Sequence, residues 1–442
     1  MNQSQTKRES NLYLREVMLL AFLILLVEFG LRCKPHITQP PTKKVVNLHI
    51  AALEVKVPPR AANVDTVHAL AYVEIRTDEE HELAEAITNE TREKGKALQE
   101  EETAKASQLD GSIEEKIEEL SSLLQRRFQT NPEPLVLRVA AGNETEYGKS
   151  TSVEVVVRLT NLLPREDQVF DLNDPASPRF GQTPWSSTTA IHASLVGYDA
   201  STSDGAAIGW NNPSIVIRGD SHDYHWIIDQ ELGVCYLRDM ADPTHQLLGL
   251  FGALIVEPPG TRFERAASTY SYDQPGWEAL IISSTNPEDS FREFVIFTHD
   301  NWEVKLTHNN STQKVNAINY YSAIGLADKP PTPKMMVHSG DRVLVRQIHA
   351  AGIGGPAGNH VFFIDSQRWP FDFQNERSNR ISAIALATSA AFNLRLRSQP
   401  DVKSEQRYIY GCHVGEHFIN GEWGLFVILP RASPQILSLK VP

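Results

Sequence analysis

From Pro132 to Pro442 the chain is written in short β-branched runs separated by Gly, Pro, Asn and Asp, and this rhythm limits what it can fold into. Leu135–Val139, Ser152–Leu159, Leu250–Val256, Glu293–Thr298, Arg342–Gln347, Phe392–Leu396 and Leu425–Leu429 each suit one strand and are short for a helix. Many short strands with frequent turns predict sandwiches or barrels rather than a parallel α/β sheet. A break falls at 258–273, where a strand ending Val-Glu-Pro-Pro-Gly gives way to a polar stretch, and it divides the region into two β units of similar size. Upstream, Val45–Val57 and Val67–Ile75 read as two further strands.

Between those strands and Pro132 the pattern changes. From Asp78 to Arg127 Glu, Lys, Ala, Leu and Gln dominate, which predicts helix. Ile113, Ile117, Leu120 and Leu124 form a short apolar stripe, too brief for a coiled coil. The stripe suits either a solvated helical insertion lying on the surface or a helix for oligomerisation or partner binding. Acidic side chains outnumber basic ones fifteen to seven here, so much of the formal net charge of -13 sits in this segment. Nucleic acid is excluded as a partner, because phosphate binding needs a basic face.

At the N-terminus Lys7, Arg8 and Arg15 precede an apolar run from Val17 to Val27, followed by Glu28-Phe29-Gly30-Leu31-Arg32. Eleven apolar residues match a signal-peptide core, and no small-x-small cleavage site follows. Both a cleaved signal and membrane anchoring through residues 17–31 therefore stand, and either places the later residues outside the cytoplasm. Asn89, Asn143, Asn309 and Asn310 open Asn-x-Ser/Thr sequons, which suits that location.

Three cysteines, Cys33, Cys235 and Cys412, are too far apart for a zinc-finger spacing and too few for a disulfide framework. Cys33 reads as a juxtamembrane thiol and Cys235 as a core residue. Cys412 stands in YIYGCHVGEHFINGEWGLFVILP, with His417 five residues on and Glu422 five beyond that. Together with PLVLRVAAGNETEYGKSTSVEVVVRLTNLLP, HWIIDQELGVCYLRD, GLFGALIVEPPG and GNHVFFIDSQRWP, this string resembles the multicopper oxidase family over residues 134 to 432. The resemblance implies a mainly β fold of two cupredoxin-like Greek-key β-sandwich domains, with the N-terminal signal or anchor helix and the charged helical insertion as additions. It divides the chain into 1–44 (signal or anchor and linker), 45–77 (leading strands), 78–131 (insertion), 132–262 and 274–434 (the two sandwiches) and 435–442 (tail).

What the resemblance implies for chemistry is a mononuclear copper site for one-electron transfer, with Cys412 as thiolate and His360 and His417 as imidazoles. The axial place, usually Met, falls on Glu422, a harder donor that favours Cu(II) or else points away. The same family holds a trinuclear, oxygen-reducing copper cluster on four His-x-His pairs. Those pairs fall here on His192 and Ser194, Arg238 and Met240, Asp365 and Gln367, and Gly411 and His413. His192 and His413 are the residual cluster positions.

His222 and His225 lie at a loop entering a strand, His338 and His349 are isolated along the chain, and none of the four is assigned a metal. The glycine-rich 352–358 precedes His360 without opening a helix, so it is not a nucleotide loop.

Three functions follow as expectations. The first is a copper-binding redox protein unable to reduce dioxygen to water, working with a small reductant or a redox partner protein. The second is a non-catalytic cupredoxin scaffold that has lost its metal. The third is an oxidase with unexpected cluster ligands. Homo-oligomers, common where two such domains close a cluster between subunits, are left open.

Overall fold

Alternation sets the strands. In Val153–Asn161 the side chains of Val153, Val155, Val157 and Leu159 are fully buried, while Glu154, Val156 and Arg158 face outward. The structure, a computed structural model, describes residues 44–61, 63–142, 152–165, 186–206, 214–266, 276–325, 329–352 and 358–439. The apolar run at 17–31, Cys33, Asn143 and most of the loop at 352–358 lie outside them. Among the described residues no helix is long and apolar enough to cross a membrane.

The mainly β architecture expected from the sequence is the one the chain adopts. In the first sandwich one sheet runs in the order Val67–Glu74, Lys44–Val57, Val153–Asn161, Ser221–Ile228, Gly197–Tyr198. The other runs Leu135–Ala140, Phe251–Glu257, Gly233–Arg238, His192–Ala193. Each sheet holds one parallel pair, Lys44–Val57 with Val153–Asn161 and Leu135–Ala140 with Phe251–Glu257. Ile50, Val155, Val157, Tyr224, Trp226 and Leu254 fill the space between the sheets.

The second sandwich repeats the plan. One sheet runs Arg262–Arg265, Glu278–Ile282, Phe291–Lys305, Arg342–Ala351, Ala391–Arg397, with Thr312–Ile318 paired to Phe291–Lys305. The other runs Met335–His338, Trp423–Leu429, Gln406–Cys412, His360–Ile364, Ala383–Leu386.

The strand Lys44–Val57 is buried on both faces, which explains why its alternation is loose in the sequence. Ile50 and Ala52 face the first sandwich's core. Ala51, Leu53 and Val55 face a different core, shared with two helices, Asp78–Gln99 and Thr103–Thr130. Ile113, Ile117, Leu120, Leu124 and Phe128 are all buried there. The insertion lies on the surface with its outer faces solvated, but its stripe is not free for a partner: it is spent within the chain. Each such side chain contributes on the order of 1.5–3 kcal/mol by leaving water.

The same core reaches the seam between the sandwiches, where Tyr236, Phe251 and Ile255 meet Val295, Phe297 and Ile348. A buried ionic network crosses that seam. Arg138 donates to Glu293 Oε2 from Nε at 2.8 Å and from Nη2 at 2.7 Å. Arg346 Nε donates to Glu293 Oε1 at 3.0 Å, and Arg346 Nη2 pairs with Glu257.

Candidate metal centre

The centre is built at one end of the second sandwich. His360 opens the strand His360–Ile364, which pairs with Gln406–Cys412 so that Phe362 stands opposite Cys412. Cys412 ends its strand, and the chain then makes one short helical turn, Gly415–Ile419, which carries His417. Glu422 N–H donates to His417 O at 3.0 Å, and Cys412 N–H to Glu422 O at 3.2 Å, closing the loop on itself. Gly421 makes the return possible. Its φ is +103°, and a Cβ there would lie 2.6 Å from the Ile324 backbone nitrogen.

This loop brings together all four residues that the sequence pattern singles out. One ligand atom each from His360, Cys412, His417 and Glu422 lies within 4.8 Å of every other. All are buried, none more than 4% exposed. His417 Nδ1 is 3.6 Å from Cys412 Sγ, and the two imidazole rings lie 4.3 Å apart. Val361 and Val414 N–H groups donate to the sulfur at 3.3 and 3.4 Å. Such bonds stabilise thiolate and fix its position.

As the side chains stand, His360 and Glu422 form a direct ion pair. His360 Nδ1 lies 2.8 Å from Oε1 and 2.7 Å from Oε2. One proton serves one oxygen, and Oε2 is left without a hydrogen bond. On its other side His360 Nε2 lies 3.0 Å from Asp300 Oδ1. Burial alone would lower the His360 pKa, but Glu422, Asp300 and Cys412 outweigh it and hold it up to about 12. Burial likewise pushes the Cys412 thiol up, and His360 and His417 more than reverse this, so its pKa falls below the usual value. Contact with the Cys412 sulfur raises His417, against a smaller effect of burial.

Two imidazoles, a thiolate and a carboxylate suit a transition metal of the copper or zinc class. The Val361 and Val414 N–H groups behind the sulfur are the outer supports such a ligand needs. Two donors bonded to one ion at 2.0–2.2 Å in tetrahedral geometry stand about 3.4 Å apart. His360 and Glu422 are closer than that, so an ion held by both has to part them.

No family model matches the chain, and no curated protein matches its sequence. Solved structures do resemble it. A copper nitrite reductase from Nitrosomonas europaea aligns at TM-score 0.47 and 13% identity, over 89% of this chain and 96% of that one. A multicopper oxidase aligns at 0.45 and 11%, over 87% and 89%. A blue copper oxidase from Nitrosomonas europaea aligns at 0.44 and 13%, over 89% and 88%. Likenesses this distant carry no argument about chemistry.

The residual cluster positions lie elsewhere. His192 faces Arg238 across a strand pair, and its Nδ1 lies 2.7 Å from Asp204 O. His413 is exposed and stacks on Phe363 at 3.9 Å. Among the described residues, neither belongs to a group of His, Cys, Asp and Glu able to hold an ion. Cys235 is a buried core residue whose thiol burial pushes up to about 12.

The reading of His349 as isolated is corrected. It is buried, its ring lies 4.1 Å from that of His360, and its Nε2 is 3.6 Å from Asp300 Oδ2. Asp300 was not singled out from the sequence at all.

Proposed function

We propose that this chain binds one copper ion at His360, Cys412, His417 and Glu422 and passes single electrons through it. The observation that carries this reading is the burial of two imidazoles, one thiol and one carboxylate with their ligand atoms within 4.8 Å. Copper bound there would supply one-electron chemistry between its two oxidation states. The protein's part is to hold the donors. The turn at Gly421 sets Glu422, and the two N–H groups on Cys412 fix the sulfur. Electrons would come from a small reductant or a partner protein. The reading includes an inability to reduce dioxygen to water, because Ser194, Arg238, Met240, Asp365, Gln367 and Gly411 occupy six of the cluster positions. The N-terminal apolar run supports placing this site outside the cytoplasm.

Copper stoichiometry with a visible spectrum tests it. An intense thiolate-to-copper band and the one copper that accounts for it, both lost in Cys412→Ser, are expected. Bound copper without that band would refute the assignment.

One observation favours a second reading, a metal-free scaffold. The His360–Glu422 ion pair already neutralises both buried groups. That reading predicts no copper, no band and a melting temperature indifferent to added copper.

A further inference from the structure

His360 faces two ways. Its Nδ1 belongs to the Cys412, His417 and Glu422 group, whereas its Nε2 turns toward Asp300 and His349. Asp300, His349 and His360 again offer ligand atoms within 4.8 Å of one another. We propose that Asp300, His349 and Nε2 of His360 form a second metal site, for a divalent ion of the zinc or cupric class, so that one imidazole is shared by two ions. The sharing rests on the copper reading above, whereas the second site does not.

Distance speaks first. Asp300 Oδ1 is 3.0 Å from His360 Nε2, and Oδ2 is 3.6 Å from His349 Nε2. These separations bracket the roughly 3.4 Å expected between donors on one tetrahedral ion. They do not describe a tight hydrogen-bonded triad. The longer one exceeds hydrogen-bond range, His349 Nε2 lying 3.2 Å from Ala351 O, a contact that a bound ion would displace, and His360 Nε2, though near Asp300, makes no aligned hydrogen bond.

Charge speaks next. Asp300 is 6% exposed, and its ion-pair contacts are the two histidines. Among the described residues its other side-chain hydrogen bond is from the Asn316 amide, at 2.5 Å from Oδ1. A buried carboxylate needs a cation, and an ion between Asp300, His349 and Nε2 of His360 supplies one whether or not Nδ1 serves copper.

The third observation is a gap in the wall. At Gly352 a Cβ would lie 2.8 Å from Asp300 Oδ2, 3.0 Å from His349 Nε2 and 3.1 Å from Thr388 Oγ1. Three donor-type atoms thus converge where this chain carries no side chain. Gly352 and Thr388 are both half-buried, so the convergence lies at the edge of the core. An Asp, two His and an open position, with the Thr388 hydroxyl at its rim, is a donor set that holds zinc.

Metal counting on the full-length protein tests this, after loading with Cu2+ and Zn2+ and removal of free ions. Two ions per chain are expected. Cys412→Ser should lose one and keep one. His349→Gln and Asp300→Asn, chosen to preserve shape, should each lose one while keeping the thiolate-to-copper band. Wild type loaded with copper alone gives a readout free of variants, since two cupric ions sharing an imidazole couple and weaken the EPR signal relative to copper content. Replacing the second copper with zinc should restore it. One ion, lost in Cys412→Ser and kept in Asp300→Asn and His349→Gln, overturns the second site and leaves the copper reading standing. One ion with the opposite dependence overturns the copper reading and keeps the second site. No bound ion overturns both.

Discussion

Glu422 stands 2.7–2.8 Å from His360, so what this carboxylate does decides the character of the centre. A carboxylate is a hard donor that favours the cupric state, whereas a thioether stabilises the cuprous one. Glu422→Met is therefore expected to raise the reduction potential of bound copper, read by a redox titration followed at the visible band. An unchanged potential would place Glu422 off the metal. The centre's four residues were legible in the sequence because three of them sit on one loop, at a spacing of five and five that pairing with distant strands cannot change. Asp300 and His349 were not legible. They meet because Phe291–Lys305 and Arg342–Ala351 pair in parallel, with a register shift between Thr298 and His299. A bulge of that kind re-aims side chains, and local sequence does not announce it.

The helical hairpin shows the same limit one scale up. Its helices were legible from composition, and the first is closed by a capping box in which Thr77 accepts from the Glu80 N–H and Glu80 accepts from the Thr77 N–H. What the apolar stripe packs against was not legible, because Ala51, Leu53 and Val55 lie more than fifty residues upstream on a strand used on both faces. Leu120→Ala should cost about 2–5 kcal/mol of unfolding free energy, measured in denaturant, as expected for a cavity in a packed core. A loss near zero would mean that the hairpin lies loose on the sheet. Glu80 also pairs with Arg127 of the second helix, at side-chain exposures of 6% and 15%. Burial opposes its ionisation, but Arg127 and the N–H groups of Arg76 and Thr77 outweigh this and hold the carboxyl below its usual 4.5. A folded value below the unfolded one means stability that is complete above about pH 4.5 and lost as pH falls toward the folded value. Glu80→Gln should therefore cost about 1–2 kcal/mol at neutral pH and flatten the acid limb of the stability curve. An acid limb identical to wild type would count against the pair.

At the scale of the molecule, the two sandwiches are joined by charge as well as by apolar contact. Glu293, in the second sandwich, accepts from Arg138 of the first and from Arg346 of its own, while Arg346 returns to Glu257 of the first. All four side chains are no more than 4% exposed. Burial lowers the Arg346 pKa to about 9, against the attraction of Glu231, which registers how costly this charge is to hold. Two cations and two anions cancel, so the network is tolerable whole and costly in part. Glu293→Gln leaves two guanidinium groups facing one carboxylate and should lose about 3–5 kcal/mol in denaturant unfolding. Replacing all four residues with apolar ones of similar volume should cost far less, or even stabilise the fold by about 1–4 kcal/mol. The contrast between the two variants is the informative quantity. If Glu293→Gln costs less than about 1 kcal/mol, the range of a solvent-screened surface pair, water reaches the seam and the sandwiches are held by apolar contact alone. If it unfolds in two steps where wild type unfolds in one, the network is what makes the two sandwiches melt as a unit.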